Sequence, residues 1–356
     1  MKLFISKIHY EKNPNLLQKI LVYFLSIFEI FYRIAVAVRN FCYDKKILKT
    51  SNFKNVIVIS TGNLTTGGVG KTPFTAELAN YYTKNYKKVA VISRGYGGTL
   101  ENKEVNVISD GQKINFSAKE SGDEPFWLAT NCPSVVILTC SSRVKAARMA
   151  VDKYNCNIII ADDAFQHRKL DRNSNLLLVD SKNKFGNNHL LPAGPLRESF
   201  KEVKRATAIV VTNKSLDDED ALKYCDEIKE RFHKPVFLCK MIPERAFNIY
   251  TNESLYQGAS VLAFCAIGQP KEFFNFVQED YYMQSIVEFP DHHSYSYQDV
   301  ERLIKIAEQN NLNFLITTEK DAVKIKDIFS NFKTTIKVYA LKLRAFADIE
   351  DIVNAR

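Results

Sequence analysis

The sequence has no Cys-x-x-Cys pair and no cysteine–histidine cluster with zinc spacing, although it holds seven cysteines at positions 42, 132, 140, 156, 225, 239 and 265. An odd, unpatterned set reads as reduced thiols, which excludes a secreted disulfide scaffold and a structural zinc module. Internal repeats and low-complexity tracts are absent, so solenoids and disordered tails drop out too. Apolar residues at 46% and charged residues at 25% are ordinary for a folded globular chain. At about 150 residues per domain, 356 residues predict two domains and a sizeable core.

Charge is unevenly spread. Nine Lys/Arg face three acids in residues 1–50, so about two thirds of the net +9 lies in that segment. Beside it runs Ile20–Val38, broken only by Ser26, Glu29 and Arg33 among strongly polar residues. As a helix this run is roughly 28 Å long, near the thickness of a bilayer core. A central Arg costs about 2.5–3.5 kcal/mol in a true span. Gln18, Ser26, Glu29, Arg33 and Asn40 form a rough polar stripe, with Ile20, Leu21, Phe24, Leu25, Ile27, Phe28, Phe31 and Ile34 elsewhere. The expectation is therefore an amphipathic helix lying in an anionic membrane interface, not crossing it, with nucleic acid disfavoured as partner. Ala35-Val36-Ala37 resembles a signal-cleavage box, but charges inside the apolar run oppose removal.

Beyond residue 50, short apolar runs alternate with helical stretches. Val56–Ser60, Val89–Ile92, Val135–Leu138, Ile158–Ile160 and Leu176–Val179 are apolar on both faces, as strands of a parallel sheet covered by helices must be. Ala208–Thr212, Val236–Cys239, Val261–Ala266, Phe314–Thr317 and Ile336–Leu341 continue the pattern. The acidic helix around 217–231 suggests a boundary. The expected organisation is an arm (1–50), an α/β domain with a mostly parallel sheet (51–215) and a smaller α/β domain (216–356).

The first strand runs into Gly62-Asn63-Leu64-Thr65-Thr66-Gly67-Gly68-Val69-Gly70-Lys71-Thr72-Pro73, a phosphate-binding loop between strand and helix. Its glycines let backbone N–H groups cradle phosphates at a helix N-terminus, making Thr65 to Pro73 the nucleotide-binding segment. Lys71 would reach the β/γ-phosphates and Thr72 would bind Mg²⁺. Thr65 stands where the strict pattern has Gly. The apolar strand Ile158–Ala161 delivers Asp162 and Asp163, either of which would hold the metal. Lys71→Ala is expected to abolish turnover.

Which phosphate-loop protein this is depends on further motifs. Partitioning ATPases carry a lysine where this chain has Thr66, which weakens that alternative, a membrane-associated switch ATPase. Ser93-Arg94-Gly95-Tyr96-Gly97-Gly98, Gly122-Asp123-Glu124-Pro125, Asp162-Asp163-Ala164-Phe165-Gln166-His167 and Leu191-Pro192-Ala193-Gly194-Pro195-Leu196-Arg197-Glu198 occur in that order. Phe289-Pro290-Asp291-His292-His293 and Thr317-Thr318-Glu319-Lys320-Asp321-Ala322-Val323-Lys324 follow. Together they resemble the lipid A disaccharide 4′-kinases (tetraacyldisaccharide 4′-kinases) from the arm to about residue 325.

That resemblance implies transfer of the ATP γ-phosphoryl group to the 4′-hydroxyl of a tetraacylated glucosamine disaccharide 1-phosphate. The expected setting is the cytoplasmic face of a Gram-negative inner membrane, with the protein peripheral and monomeric. It also implies Asp123 as catalytic base and His292 as its partner from the other domain. Glu124, Asp162 and Asp163 join Thr72 in the Mg²⁺ shell, and Arg143, Gln166 and His167 line the reaction centre. Tyr96, Arg197 and Glu198 are carried over as cleft residues. Asp123 and Glu124 also suit a plain helix start. Ala164 replaces an expected Gly, and Asn173 replaces a commoner Asp.

Overall fold

Strands rich in Ile, Val and Leu with no polar alternation need helices on both faces, and the fold supplies them. In the computed structural model, which describes residues 8–11, 13–85, 87–215, 217–268, 270–291 and 293–355, helix α1 (Leu16–Asp44) comes first. The first half follows with β1 (Ile57–Gly62), α2 (Lys71–Lys84), β2 (Val89–Ser93), β3 (Asn106–Asp110), α3 (Ala118–Ser121), α4 (Asp123–Asn131) and β4 (Val136–Thr139). It continues with α5 (Arg143–Asp152), β5 (Ile158–Ala161), β6 (Ser174–Asp180) and β7 (Ala208–Asn213). The second half holds α6 (Glu219–Phe232), β8 (Val236–Asn248), β9 (Ser260–Cys265), α7 (Pro270–Asp280) and β10 (Tyr282–Glu288). It ends with α8 (Tyr297–Gln309), β11 (Phe314–Thr318), α9 (Glu319–Phe329), β12 (Lys337–Phe346) and α10 (Ile349–Asn354).

The strands form a sheet in the order β10-β9-β11-β12-β8-β7-β6-β1-β5-β2-β4-β3, so strands from before and after residue 215 share it. Pairing is parallel except at β3–β4 and β8–β12. Strand β8 serves both halves: residues 236–240 pair parallel with β7, and 240–248 pair antiparallel with β12. One face of the first half is covered by Phe74 and Leu78 of α2 with Trp127 and Leu128 of α4. Its other face takes the small Ala146, Ala147 and Ala150 of α5, which let that helix approach closely. Helices α8 and α9 cover the second half on one side and α7 covers the other.

Part of the arm's polar stripe turns toward the body of the protein. Helix α1 is longer than the apolar run, starting from a capping box in which Asn15 accepts the Gln18 N–H and Gln18 returns the bond. Glu29 and Asn40 are buried against the body, not turned to solvent. Glu29 pairs with Arg33 and with His189 at 2.8 Å, and Tyr32 donates to the Arg197 carbonyl at 3.0 Å. Arg39 and Asn40 both donate to Glu198, while Arg168 and Lys204 hold Asp44. Leu16, Leu17, Ile20, Phe24, Ile27, Phe28, Phe31 and Ile34 are left exposed. By length and composition α1 could cross a membrane.

Candidate active site

Strand β1 ends in the glycine-rich turn, and α2 begins at Lys71 straight after it. Gly70 is the left-handed N-cap, at φ 78°, and a Cβ there would lie 2.6 Å from the Met241 methyl. Only glycine serves at that point. The loop's carbonyls are held from outside it, Val69 by the Thr212 hydroxyl at 2.8 Å and Gly68 by the Lys214 ammonium. Lys71 donates to the Asn63 side chain at 3.1 Å and lies 3.4 Å from Asp163; Thr72 is buried at the start of α2.

Asp162 and Asp163 leave β5 beside this loop in different environments. Asp162 is fully buried and accepts from Thr61 at 3.2 Å and Thr75 at 3.1 Å. Burial, reinforced by the Glu124 and Asp163 charges, pushes its carboxyl up to about 6. Burial would raise Asp163 as well, but Lys71 and Arg197 overcome it and hold that carboxyl at about 2. Arg197 reaches both Asp163 oxygens at 3.0 Å. Asp163 also takes the turn's positive φ, 48°, which leaves Ala164 free of strain and packed in the core. Asn173 accepts the Val58 N–H at 2.8 Å, a pairing that needs an oxygen but no charge.

Asp123 and Glu124 open α4, after Gly122 at φ 91° turns the chain against the Tyr96 backbone. The acids are both helix start and part of the site. Lys324 lies 3.0 Å from Asp123 and Lys320 3.1 Å from Glu124, so one face of α9 supplies a cation for each. Lys320 lowers Glu124 against the effect of burial, with help from Lys71. In turn Lys320, which burial alone would drive down, is raised by Glu124 and by nearby Asp123 and Asp162. These effects put Asp123, Glu124, Lys71, Asp162 and Asp163 in one electrostatic cluster. No role was read for Lys320 and Lys324 in the sequence; their i,i+4 spacing was the available signal, and Asn63 offered none.

Arg143 opens α5, is buried, and donates to the Cys140 and Asp162 carbonyls at 3.1 and 3.4 Å. Burial, with Arg143 and Arg172 close by, pushes His167 down to about 4, and its Nε2 lacks a hydrogen-bond partner. Gln166 donates to the Asn63 carbonyl at 2.9 Å and to Glu198 at 3.4 Å. Glu198 is fully buried, with Arg39, Asn40, Gln166 and Arg205 on its carboxylate. Tyr96 is 72% exposed on the loop after β2. His292 lies outside the described residues.

Among the described residues no three carboxylate, imidazole or thiol groups converge as a metal cage. Thr72, Asp162, Asp163 and Glu124 instead suit Mg²⁺, which takes one or two carboxylates and completes its shell with phosphate and water oxygens. Burial first, and the Glu124 and Asp163 charges after it, disfavour an ionised Asp162, a cost that a bound cation would relieve. A cavity of about 270 Å³ is lined by Lys214, Ser215, Asp217 and Glu272, and the Lys214 ammonium also holds the Gly68 carbonyl of the loop.

A family model described as LpxK, tetraacyldisaccharide-1-P 4′-kinase, matches residues 21–355. The chain belongs to this family. A tetraacyldisaccharide 4′-kinase of Halothermothrix orenii is 32% identical, covering 96% of this chain and 94% of the relative. That of Geobacter metallireducens is 37% identical over 88% of this chain and 92% of its own. The crystal structure of LpxK from Aquifex aeolicus in complex with ATP superposes with a TM-score of 0.72 at 30% identity, covering 93% and 96% of the two chains. Membership of the tetraacyldisaccharide-1-P 4′-kinase family does not favour the switch-ATPase alternative.

Proposed function

We propose that the chain transfers the γ-phosphoryl group of ATP to the 4′-hydroxyl of a tetraacylated glucosamine disaccharide 1-phosphate. The observation that carries this reading is the joining of the α4 acids to the phosphate loop in one cluster, through Lys71 and Lys320. Asp123 accepts the hydroxyl proton as the oxygen attacks phosphorus; the bond from phosphorus to the β–γ bridging oxygen breaks and ADP leaves. Lys324, 3.0 Å away, pairs with the Asp123 carboxylate and holds it in place at the head of α4. Lys71, Arg143 and Arg197 supply fixed positive charge around the reacting oxygens. Thr72 with Asp162 or Asp163 and Glu124 would hold Mg²⁺, which would supply charge to neutralise the phosphate oxygens. His292 belongs to this reading as the partner of Asp123 from the 216–356 domain, which closes over the cleft.

The enzyme works as a monomer, peripheral to the cytoplasmic face of an inner membrane whose anionic surface attracts the basic arm. Support comes from α1, which is fastened to the body from Glu29 to Asp44 while its apolar side chains face outward. A helix held that way presents grease to a lipid surface without detaching to cross it. Labelled ATP and disaccharide 1-phosphate in mixed micelles test the reading, with label expected in the lipid. Label released only as inorganic phosphate would overturn it.

A further inference from the structure

The residues ahead of α1 make a contact that the family match, beginning at residue 21, does not reach. Residues 8–10 form a helical turn seated on the loop before β7. His9 donates from Nε2 to the Pro192 carbonyl at 3.1 Å, and its own carbonyl accepts the Asn187 N–H at 2.9 Å. Thus anchored, the Tyr10 hydroxyl donates to the Thr66 carbonyl. A Cβ on Gly67 would lie 3.3 Å from that hydroxyl oxygen.

Three loop carbonyls are therefore gripped by outside side chains: Thr66 by Tyr10, Gly68 by Lys214 and Val69 by Thr212. A trans peptide is planar, with its C=O and N–H on opposite sides, so each grip directs the N–H of the next residue. Those are the N–H groups of Gly67, Val69 and Gly70, the kind such a loop offers to phosphate. Gly67 sits at φ 115°, where no side chain hinders rotation, so the 66–67 peptide gains most from an external hold. The Thr66 N–H is fixed too, by the Pro195 carbonyl at 2.8 Å.

We propose that Tyr10 is a positioning residue for ATP, its hydroxyl aiming the Gly67 N–H into the phosphate cradle through the Thr66 carbonyl. The proposal rests on reading this loop as the ATP site. It also ties the segment leading into α1 to the nucleotide. Tyr10→Phe keeps the ring and removes only the hydroxyl. Its Kd and KM for ATP are expected to rise roughly three- to tenfold, the worth of one hydrogen bond, while kcat at saturating ATP and the acceptor KM stay within about twofold. The nucleotide-free melting temperature should stay within about 2 °C, with a smaller upward shift on adding ATP. Thr212→Val, which frees the neighbouring carbonyl grip, should weaken ATP binding in the same sense. Unchanged ATP affinity in Tyr10→Phe overturns the proposal, and so does a lower nucleotide-free melting temperature with an intact ATP shift, which would make Tyr10 part of the fold alone. A wild-type protein that binds no ATP overturns the nucleotide reading itself, a different failure from that of the Tyr10 contact.

Discussion

Two groups of carboxylates in this protein are met by cations from distant parts of the chain, and they differ in how completely they are satisfied. Glu198 is fully buried, and its two oxygens are shared among Arg39, Asn40, Gln166 and Arg205, so nothing else can bind there. Glu124, Asp162 and Asp163 share their compensation unevenly: burial raises Asp162, Lys71 and Arg197 lower Asp163 against burial, Lys320 lowers Glu124, and Lys71 serves more than one of them. A saturated carboxylate holds structure together; an unevenly compensated group is able to take a cation or a proton. Gln166 touches Glu198 and the Asn63 carbonyl, so it marks the boundary between the two groups.

The contrast breaks if the site charges prove structural. Lys71→Ala should reduce phosphoryl transfer by about 10³-fold or more with little change in melting temperature, measured by label transfer and thermal denaturation. Asp123→Ala should lower kcat roughly 10²–10⁴-fold while equilibrium ATP binding persists. Glu198→Ala should do the reverse, destabilising the fold by about 3–5 kcal/mol in denaturant titration because Arg205 and Arg39 lose a buried partner. His167 sharpens the comparison through pH. Its folded-state value of about 4 lies below the ordinary 6.5, so the unfolded chain binds the extra proton between those values. Stability from His167 is present above pH 6.5 and lost as pH falls toward 4. Wild type should therefore lose about 1–3 kcal/mol more than His167→Gln across that window, read from paired denaturation curves. The smallest effect is expected at Glu29→Gln, about 0.5–1 kcal/mol, since Arg33 and His189 are both about half exposed.

Legibility in the sequence followed burial. The central strands were readable because they are apolar on both faces. The two strands that the apolar runs did not reveal, β3 and β10, are the edges of the sheet, and β10 alternates exposed with half-buried or buried positions. Strand β8 runs on through Lys240–Asn248, where Lys240, Glu244 and Arg245 break any apolar signal, yet pairing with β12 keeps it extended. The phosphate loop and the paired aspartates were legible from local spacing alone. Tyr10 was not, because a tyrosine near a terminus has no local pattern, and the i,i+4 spacing of Lys320 and Lys324 puts them on one face without saying which acids they meet. The inward turn of the α1 stripe depended on Glu198 and His189, more than 150 residues away.

Strand β8 carries a mechanical consequence. It changes partner at Lys240, with β7 before and β12 after, and the next residue, Met241, abuts Gly70 at the head of α2. The two halves are therefore joined by a continuous hydrogen-bonded ribbon and not by a slack tether, and the point where that ribbon changes partner lies against the glycine that caps α2.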